Sequence, residues 1–324
     1  MSACVAEIIQ EALALGKPVV ALETAVLTSG LPKSPWSDAY GACPNSIDAN
    51  LPINLALAQA MTDSVGKNGA IPAWIAVVDG ELRIGLTSEE IASLCKNQNA
   101  GKVSLATIAQ SMQGKKTAGT TVAATLLACR LSCADNPIRV FATGGIGGLH
   151  QNWVERLDIS ADLVALSNTP TCVVASGAKS ILDIPATVES LETIGVPVLG
   201  LNTSVFPRFI ETNKEGDPTV CQVDTPSDVA SLCKKHWFDL KLRSAVLATV
   251  QVPEDVALSL GTIEKALDQA EKEWVATNVE ATNRTPFLLD RLATLSNGAS
   301  LVANLALLCN NAKVAAKIAI ELAK

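Results

Sequence analysis

Short apolar runs of strand character alternate with segments of helical period along most of this chain, and this alternation constrains the fold more than any other feature. Residues 18–22, 139–143, 163–166, 171–176 and 196–200 read as short buried strands, most of them followed by a stretch with helical spacing. Strands joined through helices pair in parallel and need cover on both faces. Residues 74–78 and 81–86 flank Asp79-Gly80 and read as a β-hairpin with a type I′ turn. Thr87-Ser88-Glu89-Glu90 has the form of a helix N-cap with first-turn acids. Helical spacing also marks residues 5–15, 53–65 and 304–322, and another helix begins within 120–127. The expected fold is α/β: a three-layer α/β/α arrangement with a largely parallel central sheet. A single domain spans residues 1–324, with an irregular, proline-bearing insertion at about 31–51.

With 324 residues and 48% hydrophobic content, the chain can bury a large core. A net charge of -7 argues against nucleic acid as a partner, because affinity for a phosphate backbone comes mainly from basic residues. The nine cysteines are odd in number, scattered and without a CxxC pair, so neither a disulfide framework nor a structural zinc site fits. Reduced thiols and the lack of a leader-like N-terminus or an uninterrupted apolar run of about eighteen residues point to a cytoplasmic protein with no membrane partner.

Chemistry concentrates between Thr143 and Asp183. Within it lie the glycine run Gly144 to Gly148, one of the two histidines at His150, the carboxylates Asp158 and Asp162, and Lys179 among small and apolar neighbours. An apolar setting at Lys179 would favour a neutral, nucleophilic amine able to form an imine; the alternative is a solvent-facing lysine at a helix start. Glu23 closes an apolar strand, where partial burial suits a general acid, although an ion pair would explain it equally well. Asp158 and Asp162 are four apart. On a helical turn they would share a face and could hold a divalent cation, while a cap or salt bridge is the alternative. The glycine run lacks the dinucleotide fingerprint. Lys102-Val103-Ser104 and Gly119-Thr120-Thr121 offer an ammonium, hydroxyls and backbone N–H groups suited to an anion.

The order of these pieces resembles the pseudouridine-5′-phosphate glycosidase family, also called indigoidine synthase A-like, along nearly the whole chain. Ala21-Leu22-Glu23-Thr24, Lys102-Val103-Ser104, Gly119-Thr120-Thr121, Thr143 to Gly148, Asp158-Ile159-Ser160-Ala161-Asp162 and Gly177-Ala178-Lys179-Ser180 carry the likeness, with Ser300 to Asn304 and Asn310-Asn311 beyond them. The resemblance implies cleavage of the C–C glycosidic bond of pseudouridine 5′-phosphate to uracil and ribose 5-phosphate, in a manganese-dependent homotrimer. It places the nucleophile on Lys179, the proton donor on Glu23 and the metal ligand on Asp158. It places substrate contacts on Lys102, Val122, His150, Ser160, Ala161, Asp162 and Asn304.

The chain departs from the family pattern at Ser29, where a histidine is usual, at Gln151, where an arginine is usual, and at Ala106-Thr107, where Arg-Asp is usual. A different or unphosphorylated C-glycoside, reaction toward C–C bond formation, and a catalytically silent sugar-phosphate binder therefore stand beside the first reading.

Overall fold

Val19 and Ala21 turn to one side of the sheet and Val20 and Leu22 to the other, so a run of consecutive apolar residues is satisfied only in a strand covered on both faces. The computed structural model describes residues 3–151, 153–275 and 284–324. Among these, eleven strands form one sheet: β1 (Cys4–Val5), β2 (Val19–Glu23), β3 (Ile71–Val78), β4 (Glu81–Ile84), β5 (Gly101–Val103), β6 (Ala118–Thr120), β7 (Val140–Ala142), β8 (Cys172–Ala175), β9 (Val198–Leu201), β10 (Cys221–Val223) and β11 (Val246–Thr249). The helices are α1 (Glu7–Ala14), α2 (Ala25–Ser29), α3 (Ile53–Lys67), α4 (Ser88–Lys96), α5 (Ile108–Gln113), α6 (Val122–Leu131), α7 (Trp153–Arg156), α8 (Ala161–Ser167), α9 (Ile184–Thr193), α10 (Pro226–Lys234), α11 (Thr262–Val275), α12 (Arg284–Leu295) and α13 (Ala299–Ala323).

The strand order is β1-β4-β3-β2-β7-β8-β11-β9-β10, with β6 on β3 and β5 on β6. Pairing is parallel throughout except for β3 with β4 and β3 with β6. The β3–β4 hairpin turns through Asp79 (φ 50°) and Gly80 (φ 86°), both in the left-handed region that a type I′ turn requires. One buried apolar cluster gathers Leu22, Val140 and Val174 with α3 and α13; the other gathers Ala21, Phe141 and Val173 with α1, α6, α8 and α9. These are the two outer layers expected from the sequence. Helix α13 is long and apolar enough to span a membrane by length and composition, yet twelve of its residues are buried in this core.

One expectation fails locally. Residues 163–166 belong to α8 and not to a strand: Leu163, Ala165 and Leu166 are buried while Val164 is exposed, and the Ser160 hydroxyl caps the helix by accepting from Asp162 N. The glycine run after β7 leads into isolated bridges, Ile146 with Ala178 and His150 with Leu182, so it is not a turn delivering a helix N-terminus. The insertion at 31–51 is irregular but well packed. Trp36 and Tyr40 meet edge to face at 5.7 Å, Ile47 is buried, and the Tyr40 backbone lies so close to Gly298 that a Cβ there would stand 2.4 Å from its carbonyl oxygen.

Candidate active site

The carboxyl ends of β2, β7 and β8 meet at one edge of the sheet, where open parallel sheets place their ligands. Register dictates what gathers there. Leu22 pairs with Ala142 and Ala142 with Val174, so the next step along the strands sets Glu23 beside Thr143. Both side chains fall on the α6/α8 face by strand alternation. The Thr143 hydroxyl donates to Glu23 Oε1. Burial pushes the Glu23 carboxyl up to about 7; Lys179 and the Thr143 hydrogen bond pull it down less strongly, and Asp162 adds to the rise.

Lys179 lies in the turn between β8 and α9, its backbone N–H bonded to Ile146 O at 3.2 Å. Its charge acts on both Glu23 and Lys102, which places the three groups in one electrostatic neighbourhood. The residue is exposed in the single chain, so the apolar envelope expected from its neighbours in sequence is absent. Ala178 and Leu182 are buried, but the lysine projects from between them. Lys102, on β5, is also exposed. Partial desolvation and then repulsion from Lys179 hold its ammonium below the usual lysine range, with Asp162 opposing.

Asp162 is buried, and its carboxylate accepts from Gly147 N at 2.9 Å and from Ala123 N at 3.0 Å. It thereby pins the glycine turn to the start of α6, next to buried Val122. Ser160 and Ala161 start α8 against that turn: a Cβ on Gly147 would stand 2.3 Å from Ser160 Oγ. At the N-cap of α6 the Thr121 hydroxyl is buried without a partner among the described residues. Ammonium, unpaired hydroxyl and helix N-terminus together suit an anion.

Asp158 and Asp162 do not share a helical face. Ser160 caps α8 between them, and Asp158 stays outside the helix, exposed, with Oδ2 3.9 Å from His150 Nδ1. Among the described residues no group of three or more His, Cys, Asp or Glu side chains is placed to hold a metal. A lone exposed carboxylate fits a hard divalent cation held mostly by waters and substrate oxygens, and does not fit an all-protein cage. Asn304 is half-buried on α13, two turns before Asn311.

Sequence reasoning assigned no role to three features beside the cleft. Thr143 was visible only through strand register. Asn311, fully buried, donates to Thr143 O at 2.9 Å and contacts the Ser176 hydroxyl at 3.2 Å, tying α13 to the ends of β7 and β8. The loop 206–211 packs against the glycine run and the end of β8. Phe209 (φ 60°) donates from its N–H to Ser176 O and packs on Gly145, where a Cβ would lie 2.8 Å from its ring. Arg208 in that loop is paired with fully buried Asp217 at 2.7 Å and 2.8 Å.

A lysine, a desolvated carboxyl and an anion-suited helix start gather at the carboxyl ends of the central strands of a three-layer α/β/α sheet, an arrangement suited to an enzyme acting on a sugar phosphate. The match to the family model described as indigoidine synthase A like protein runs over residues 45–321, and the chain belongs to that family. Its relatives include a pseudouridine-5′-phosphate glycosidase of Caldanaerobacter subterraneus, 39% identical over 98% of this chain and 96% of that one. Another, from Glaesserella parasuis, is 37% identical over 98% and 97%. Among solved structures, the prealnumycin C-glycosynthase AlnA in complex with ribulose 5-phosphate superposes with a TM-score of 0.81 at 31% identity, covering 98% of this chain and 96% of that one. The indigoidine synthase A-like protein of Thermotoga maritima gives 0.81 at 30%, covering 100% and 98%.

Proposed function

We propose that this chain cleaves the C–C glycosidic bond of pseudouridine 5′-phosphate, releasing uracil and ribose 5-phosphate. The observation that carries the reading is the desolvated Glu23 carboxyl, hydrogen-bonded by Thr143 and within the field of Lys179. The near full-length relatives bearing this activity support the substrate.

A C-nucleoside has no heteroatom leaving group at C1′, and direct departure would expel a carbanion. An amine removes that difficulty. Lys179 adds to C1′ as the C1′–O4′ bond breaks, and Glu23 delivers its proton to O4′, opening the ring. The alkylated amine then returns a proton to the Glu23 carboxylate, uracil C5 takes that proton, the freed nitrogen lone pair forms C=N, and the C1′–C5 bond breaks. Water hydrolyses the lysine imine and returns ribose 5-phosphate. Lys102, the Thr121 hydroxyl and the start of α6 bind the phosphate, while Ser160, Ala161, His150 and Asn304 line the pocket and Asp162 pins the glycine turn behind them. A manganese or similar divalent ion at Asp158 would supply charge neutralisation for substrate oxygens.

Val154 (70%), Leu157 (74%) and Val164 (62%) are exposed apolar side chains, which supports assembly of this chain with copies of itself, as a homotrimer. Nine free thiols suit a cytoplasmic setting. The likeness to AlnA favours a second reading, in which the same residues form a C–C bond on ribose 5-phosphate. Uracil release from pseudouridine 5′-phosphate, measured beside consumption of uracil with ribose 5-phosphate, tests both. Turnover in neither direction overturns them together.

A further inference from the structure

We infer that Thr143 is a positioning residue for the reaction: its hydroxyl holds the Glu23 carboxyl at the tip of β2, and Asn311 holds Thr143 in turn. The inference rests on the reading of Glu23 as proton donor.

Three observations converge on Thr143. Strand register makes it the lateral neighbour of Glu23, and its hydroxyl donates to Oε1. Its backbone is fixed twice, by its own N–H to Val174 O at 3.0 Å and by Asn311 Nδ2 to its carbonyl at 2.9 Å. Thr143 and Asn311 are both fully buried, so neither bond is exchanged for water in the folded chain. The Asn311 amide also contacts Gly144 O at 3.4 Å and Ser176 Oγ at 3.2 Å, fastening the two strand ends that frame the cleft.

A general acid works only when its carboxyl is aimed and its ionisation suits the working pH. The charged groups acting on Glu23 are Lys179, from the turn after β8, and Asp162, from α8; Ile75, its partner on β3, is uncharged. Thr143 is the neutral donor among its neighbours, and it favours the carboxylate. Without that donor Glu23 stays protonated to higher pH and is free to rotate.

Thr143→Val keeps volume and branching but removes the donor, whereas Thr143→Ser keeps it. For uracil release, T143V is expected to lose about tenfold or more in kcat with little change in KM, and the alkaline limb of its pH profile moves upward. T143S restores both. A T143V enzyme with wild-type kcat and an unmoved limb overturns the inference, as does a T143S enzyme no better than T143V. Should T143V fail to fold, T143C, whose thiol donates weakly, gives the same shift in smaller measure, and an unmoved limb there is equally decisive. Glu23→Gln separates this inference from the reading beneath it. A fully active E23Q removes the proton-donor role itself, while an inactive E23Q beside a normal T143V removes only the role of Thr143.

Discussion

Asp162 occupies a position where a substrate contact was expected, yet its carboxylate is already committed to two backbone donors. Replacing it with asparagine separates these roles. The carboxylate accepts from Gly147 N at 2.9 Å and Ala123 N at 3.0 Å, and the side chain is buried. Asparagine keeps one acceptor and turns an NH₂ group toward the other N–H. One charge-assisted hydrogen bond, worth about 1.5–3 kcal/mol, is lost, and a buried donor faces a donor. The two effects overlap because they concern the same contact, so Asp162→Asn is expected to destabilise the fold by about 2–4 kcal/mol. Urea denaturation followed by circular dichroism measures this, alongside kcat and KM for uracil release. Loss of the Asp162 charge also removes one cause of the raised Glu23 carboxyl, so the alkaline limb of the pH profile moves down. A D162N protein with wild-type stability and only a raised KM would refute the reasoning, since it would make Asp162 a ligand contact and not a pin between the glycine turn and α6.

Other consequences follow from the same contacts. Burial raises the Glu23 carboxyl from 4.5 to about 7, so its contribution to stability is full below pH 4.5 and lost as pH rises toward 7. Glu23→Gln, uncharged throughout, is therefore expected to be inactive yet more stable at pH 8 by roughly 1–3 kcal/mol, a gain that urea titration at pH 8 against pH 4.5 would detect. Asp217→Asn leaves Arg208 without its buried partner and is expected to cost roughly 3 kcal/mol, read as a lowered denaturation midpoint with loss of turnover as loop 206–211 loosens. Leu157→Asp and Val164→Asp place charge at two exposed apolar positions. Sedimentation is expected to show smaller species, and an unchanged assembly would move the interface elsewhere.

Much of this architecture was legible because local rules and burial agreed. The run Val19 to Leu22 can bury four consecutive apolar side chains only between two layers, and Asp79-Gly80 supplies the backbone freedom its hairpin needs. Leu163 to Leu166 misled because four apolar residues carry no period; the deciding signal was the Ser160 cap ahead of them. Glu23 could be placed at a strand end from its own flank. Its partner Thr143 could not, because their adjacency follows from β2–β7 pairing across more than a hundred residues. For Lys179 the sequence left an apolar setting and a solvent-facing position both open, and the turn after β8 decides for the second, burying Ala178 and Leu182 and presenting the lysine. Asn311 was hidden by its helix, since a polar residue inside an alanine-rich stripe gives no sign of the strand ends it fastens.

In the proposed reaction the amine of Lys179 bonds covalently to the anomeric carbon of a ribose 5-phosphate unit. Incubating the protein with pseudouridine 5′-phosphate and a divalent cation, reducing with borohydride and mapping the product by peptide mass spectrometry tests it directly. A reduced five-carbon sugar-phosphate adduct on Lys179, missing from Lys179→Ala, is expected. Uracil release with no adduct on Lys179, or undiminished release by the alanine variant, would contradict it.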